Sequence, residues 1–141
     1  MFHAPGAFNK LTACLERTGA DVALGVFRIK KAIKDDRVVL DKDGRVLSFA
    51  VSTSGAQDPH TWLMAVWGPH FTEFLHYFLE KHDAQSGNSV SELTVGHVLE
   101  PAFKAGLRLY GIPFPQGRYL DIGVPHNLRK AVQQASRSIS F

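Results

Sequence analysis

The chain has 141 residues, of which 45% are apolar and 21% charged, and a formal net charge of +3. That length holds one domain with a real hydrophobic core, the composition is globular rather than disordered, and no run approaches the roughly 18 apolar residues of a membrane span. The pI near 9.2 reflects a Lys and Arg density well below what duplex binding needs, so nucleic acid is not an expected partner.

The elements follow in chain order. Pro5 to Thr18 spaces Phe8, Leu11 and Leu15 as a helix does and meets Gly19 where the helix should stop. Asp21 to Arg28 is a short apolar, β-branched run and reads as a buried strand. Arg37 to Leu40 and Arg45 to Phe49 flank Asp41-Lys42-Asp43-Gly44, whose glycine can take the positive φ that a hairpin turn requires. Trp62 to Trp67 reads as another buried strand, closed by Gly68-Pro69. Pro69 then opens a helix with Phe71, Phe74, Leu75, Phe78 and Leu79 on one stripe. Asp83 to Ser89 has loop composition, and Ser91 is placed to cap a helix running to Gly106, which Pro101 should kink or divide. A strand over Leu107 to Ile112, a turn over Pro113 to Gly117, a short strand over Tyr119 to Gly123 and a last helix carrying Leu128, Ala131, Val132 and Ala135 complete the chain. This alternation predicts an α/β layered fold in a single domain spanning 1–141.

Several familiar chemistries are missing from the sequence. It contains no Gly-x-Gly, no phosphate-binding Gly-Lys and no Gly-x-Ser-x-Gly, which removes the dinucleotide fingerprint, the P-loop and the esterase elbow. The seven histidines never stand three or four apart, so none pairs with another on a helical face as zinc ligands would. Asp41-Lys42-Asp43-Gly44 lacks the further oxygen donors of a calcium loop and is read as a turn. Cys14 is the single cysteine and forms no internal disulfide; the amino end, Met1-Phe2-His3-Ala4-Pro5, has no signal-peptide pattern, so a cytoplasmic location is expected. Arg28, Lys30, Lys31, Lys34 and Arg37 crowd the connection between two strands, where they form either a solvated loop or a rim that steers anions.

The stretch with the most chemical content is Gly117 to Leu128. An apolar strand carries Asp121 to its carboxyl end, Gly123 lets the chain turn, and Pro125 opens a helix. Open α/β sheets bind ligands at that edge. A carboxylate there can hold Mg²⁺ while the amides of the following helix face an anion, or it can simply cap the turn.

The run Tyr119-Leu120-Asp121-Ile122-Gly123-Val124-Pro125 resembles the aromatic-x-Asp-Ile-Gly-Thr-Pro motif of the sugar-phosphate nucleotidyltransferases, also called nucleoside-diphosphate-sugar pyrophosphorylases, and more loosely their glucose-1-phosphate thymidylyltransferase-like members. Val124 stands where that family has Thr. Gly19 to Phe27, the hairpin Val39 to Val46, Glu92-Leu93-Thr94, Ala105-Gly106-Leu107 and Tyr110-Gly111 are similar to later family segments in the same order, so the resemblance covers nearly the whole chain.

This resemblance implies a partial Rossmann-like nucleotidyltransferase fold, with a mixed sheet flanked by helices. It implies attack of a sugar 1-phosphate on a nucleoside triphosphate with release of pyrophosphate, Mg²⁺ as cofactor, Asp121 as a metal ligand and Gly123 as a substrate contact. It also implies that the chain corresponds to the carboxyl-terminal part only. The family's Gly-x-Gly-Thr-Arg loop, its nearby lysine and its first metal aspartate have no counterpart here, and Phe49-Ala50-Val51-Ser52-Thr53 stands where the family carries Glu-Lys-Pro. The isolated chain is therefore expected to be inactive or nearly so. It should expose a sheet edge along strands such as Val22 to Phe27 and need a partner, which could be a second copy, a separately encoded amino-terminal half or the remainder of a longer natural chain. The alternative is a non-catalytic module that binds a sugar phosphate or nucleotide sugar.

Overall fold

A computed structural model describes residues 2–3, 6–28, 37–49, 60–85, 93–115, 118–119 and 133. The chain forms two compact units, one from Gly6 to Phe114 and one from Met1–Pro5 with Pro115–Phe141. In the second unit, strand β1 (Phe2–His3) pairs antiparallel with β7 (Arg118–Tyr119), a pairing the sequence did not suggest. Of the last helix expected from the sequence, only Gln133 is described, and it is helical.

The larger unit begins with helix α1 (Ala7–Thr18). Gly19 ends it with φ 62°, a conformation that costs glycine little, and donates its N–H to Leu15 O at 2.8 Å. The buried stripe is Ala7, Leu11 and Cys14, not Phe8, Leu11 and Leu15: Phe8 is 60% exposed and Leu15 half-buried. The two stripes differ by one residue of rotation, and the sheet selects the one with smaller side chains.

Five strands make a mixed sheet in the order β4, β3, β5, β2, β6, with ranges β2 Val22–Arg28, β3 Arg37–Leu40, β4 Val46–Phe49, β5 His60–Trp67 and β6 Leu109–Pro113. β5 is the middle strand, and β2 beside it is antiparallel to β5 and parallel to β6. Val22, Leu24 and Val26 on one face and Ala23 and Phe27 on the other are all buried. A strand enclosed on both faces and both edges reads as a continuous apolar run, which explains its sequence. It also corrects the expectation that Val22 to Phe27 would lie at an open edge.

Helices α2 (Pro69–Gln85) and α3 (Val95–Lys104) contribute Phe71, Val98, Leu99 and Ala102 to the core that covers Val22, Leu24 and Val26. Phe74, Leu75 and Phe78 complete the expected α2 stripe as half-buried residues, while Leu79 lies at its exposed rim. α3 is capped by Thr94, whose N–H donates to His97 Nδ1 at 3.1 Å, and it runs through Pro101 undivided. Ser91 lies outside the described residues. On the opposite face of the sheet Phe27 stacks on Phe114 at 5.6 Å between ring centroids, and the Lys10 ammonium of α1 sits over the Phe114 ring.

The β3–β4 turn is held by Asp41. Its Oδ1 accepts the N–H groups of Asp43 (2.8 Å) and Arg45 (2.9 Å), and Gly44 closes the turn at φ 87°. A carboxylate already engaged by two amides of its own turn confirms the turn reading over a calcium loop. Val38, Leu40, Val46 and Phe49 put the inner face of this hairpin on the core, and its tip reaches β6, where Gly111 N–H donates to Gly44 O at 2.8 Å.

Candidate functional site

Because β2 and β6 run parallel, their carboxyl ends lie at one end of the sheet. Open α/β sheets bind ligands outside such ends. β2 finishes at Arg28, opposite His60 of β5, and the adjacent position on β5, Thr61, pairs with Arg37. Arg28 and Arg37, two of the five basic residues singled out in the sequence, thus stand at this end of the sheet but two strands apart and in adjacent rows, Arg28 in line with His60 and Val38 and Arg37 in line with Thr61 and Phe27, so the register does not bring them together; Lys30, Lys31 and Lys34 lie outside the described residues. β6 finishes at Pro113, and Phe114 N–H donates to Val26 O at 2.9 Å, fixing where the chain leaves the sheet. Asp121 follows seven residues later in the sequence. Asp121 and Gly123 themselves lie outside the described residues.

At the opposite end, the structure assembles a polar cluster that sequence reasoning missed. Asp21 precedes β2, Arg108 precedes β6 and His70 lies in the first turn of α2. One carboxylate oxygen of Asp21, Oδ2, accepts the Arg108 backbone N–H at 2.8 Å, and the Arg108 Nε is 4.0 Å away; the other, Oδ1, lies 3.0 Å from His70 Nδ1. The backbone adds to this: Asp21 and Val22 N–H groups donate to Arg108 O, and Gly68 N–H donates to Asp21 O. Burial pushes the Asp21 carboxyl up, but the Arg108 amide, the His70 ring and the charges of both side chains outweigh it and hold the group below its ordinary value. Asp21 is 11% exposed and His70 77%. The cluster therefore ties the starts of β2 and β6 to the end of β5 and the start of α2. Its members are 49 and 87 residues apart, a separation that no local motif signals.

His97 is likewise a structural histidine, spent on the α3 cap. Among the described residues no group of three or more His, Cys, Asp or Glu side chains is placed to hold a metal ion. No described helix is long and apolar enough to cross a membrane.

No protein-family model matches the sequence, and neither does any curated protein. Solved structures do match. A CMP:2-keto-3-deoxy-manno-octonic acid synthetase complexed with CTP superposes with a TM-score of 0.62 at 14% identity, covering 97% of this chain. The chain shares the α/β fold of that synthetase. The inositol-1-phosphate CTP transferase from T. maritima aligns with a TM-score of 0.50 and 15% identity over 82% of the chain. The chain spans 58% of the length of the first and 44% of the second. At these identities the likeness is one of fold.

Proposed function

We propose that this chain is the carboxyl-terminal, sugar-binding part of a nucleotidyltransferase domain that joins a nucleoside triphosphate to a sugar 1-phosphate and releases pyrophosphate. The observation that carries this reading is the match of 97% of the chain to just over half of a synthetase complexed with CTP, together with the Asp-Ile-Gly-x-Pro run at Asp121 to Pro125. Both solved neighbours are named for work with CTP, which makes CTP the first triphosphate to test.

In this reading residues 1–141 form one domain with a complementary amino-terminal half. Asp121 offers a hard oxygen ligand suited to Mg²⁺, and Gly123 lets the backbone approach the sugar phosphate. The bound cation would neutralise charge on the transferred group, and the remaining catalysis would be positioning. Arg28 and Arg37 occupy positions at the carboxyl end of β2, the end of open α/β sheets at which ligands bind, and positive charge there would draw an anionic substrate.

A second reading is a non-catalytic module that binds a sugar phosphate or nucleotide sugar. It is favoured by the absence of Gly-x-Gly from these residues and by Phe49-Ala50-Val51 in place of a Glu-Lys-Pro contact. Pyrophosphate release from CTP and a panel of sugar 1-phosphates separates the two. Under the first reading the chain alone is inactive or nearly so, and supplying a polypeptide with a Gly-x-Gly-Thr-Arg loop gives Mg²⁺-dependent turnover. In that assembly Asp121→Asn should fold normally and lose turnover by about a hundredfold or more, the scale of one lost electrostatic contact to the transferred group. Unchanged turnover in Asp121→Asn would leave the carboxylate as a turn cap only.

A further inference from the structure

Helices α2 and α3 each begin beside a histidine that uses the same ring atom, and the two atoms do opposite jobs. His70 Nδ1 lies 3.0 Å from a carboxylate oxygen of Asp21. An ionised carboxylate only accepts, so this nitrogen carries a proton and donates it, whether the ring is neutral or charged. His97 Nδ1 instead lies 3.1 Å from the Thr94 backbone nitrogen, whose N–H can only donate. Here the nitrogen must offer a lone pair, which leaves the ring neutral with its proton on Nε2. His97 is the third residue of α3, where a capping box ordinarily carries Glu or Gln, and its imidazole nitrogen does what their side-chain oxygen does. Thr94 Oγ1 lies 3.2 Å from the same Nδ1. A hydroxyl both donates and accepts, so it stays a partner when the nitrogen changes role.

We propose that the start of α3 is a proton-operated cap. With the ring neutral, Nδ1 accepts the Thr94 N–H. When a proton from solvent binds Nδ1, the lone pair is consumed, the Thr94 N–H is released, and the new ring N–H donates to Thr94 Oγ1 instead. The arriving charge also lies against the positive end of the α3 dipole, which weakens the first turn a second time. His97 and Thr94 are both exposed, so the proton has access. Among the described residues the polar contacts of His97 are both with Thr94. Glu100, three residues on, is paired with Lys104 at 2.8 Å. Of the elements packed against α3, no hydrogen bond or ion pair joins His97 to Glu73, His76, Glu80, Lys81 or His82 of α2, or to Arg45 ahead of β4. The loosening is confined to the first turn, because Val98, Leu99 and Ala102 behind it are anchored in the core. At α2 the same acid leaves the contact in place, since a proton added to His70 Nε2 leaves its Nδ1–H donating to Asp21. The cap does not depend on the catalytic reading above.

The test is an NMR titration of the full chain from about pH 8 to about pH 5, the range over which imidazoles gain a proton. It reads the His97 ring nitrogens and the protection of the Thr94 amide against exchange, corrected for its intrinsic rate. The expected result is an unprotonated Nδ1 at the alkaline end and a fall of about fivefold in Thr94 protection on acidification, the weight of one lost helix cap. The His70 Nδ1 proton and the β2 amides stay in place throughout. His97→Gln supplies an acceptor that does not titrate and should hold Thr94 protection level across the range, whereas His97→Ala should lower it at every pH. A proton already on His97 Nδ1 at the alkaline end overturns the proposal. Thr94 protection that ignores pH in the wild type, or that falls in His97→Gln as it does in the wild type, overturns it equally. If His97→Ala does not fold, the wild-type and His97→Gln titrations settle the matter between them.

Discussion

β2 and β5 lie side by side, are of similar length and are both built from apolar, β-branched and aromatic residues, yet they live in different environments. β2 has partners on both edges and is buried at Val22, Ala23, Leu24, Val26 and Phe27. β5 buries only Thr61 and Met64, and among the described residues it pairs with β3 only at His60 and Thr61. The contrast shows that apolar composition states how much surface a strand can give up, whereas its neighbours decide how much it does. β2 packs its side chains into the core of the larger unit, whereas β5 keeps most of its side chains partly accessible.

The sharpest way to break that contrast is to remove side-chain volume from each strand. Leu24→Ala in β2 empties a fully enclosed position among Val22, Val26, Phe71 and Leu99 and should cost about 2–5 kcal/mol. Val66→Ala in β5 removes two methyl groups from a half-buried site and should cost about 1 kcal/mol or less. Urea unfolding of the two variants reads this directly, and equal losses would mean that β5 is as enclosed as β2.

A smaller effect is expected where an open edge has been closed by the chain itself. Gly111 on β6 faces Leu40 so closely that a Cβ there would lie 2.7 Å from both Leu40 methyls, while a Cβ on Gly44 would lie 2.9 Å from Gly111 O. The two glycines let the hairpin tip and β6 approach. Gly111→Ala should cost about 1–3 kcal/mol as an overpacked site. It should also speed exchange of the 111 amide, which now donates to Gly44 O. Retained protection at that amide would show that the tip adjusts without leaving β6.

Legibility from sequence followed the range of the interaction. The α2 stripe, the Asp41 turn, the Gly19 stop and the strand at Val22 were all readable, because each is fixed by residues within a turn or two. The choice of Ala7 over Phe8 on α1 depends on the sheet beneath it. The hairpin's reach to Gly111, the enclosure of β2 between β5 and β6, and the Asp21 cluster depend on partners far along the chain. Pro101 was expected to kink or divide α3, and the helix is not divided: it passes through Pro101, with Val98, Leu99 and Ala102 packed into the core. Asp121 and Gly123 were singled out by local pattern and lie outside the described residues. At the carboxyl end of β2 the structure adds only the register, with Arg28 opposite His60 and Arg37 opposite Thr61.

The Asp21 cluster binds the two strands at their common end and offers the finest test of how differently they are held. Its carboxyl titrates below the ordinary value because the Arg108 amide, His70 and the nearby charges outweigh burial. A depressed folded-state value means that the contribution is complete above the unfolded value of about 3.9 and disappears as pH falls through the lower folded one. Charge-assisted hydrogen bonds of this kind are worth about 1–2 kcal/mol. Asp21→Asn should therefore lower stability by about that amount at neutral pH and by progressively less below pH about 4. Paired urea titrations of the two proteins from neutral pH downward measure the gap. A gap that persists undiminished in acid would assign the loss to altered packing at the start of β2 rather than to the ionised carboxylate.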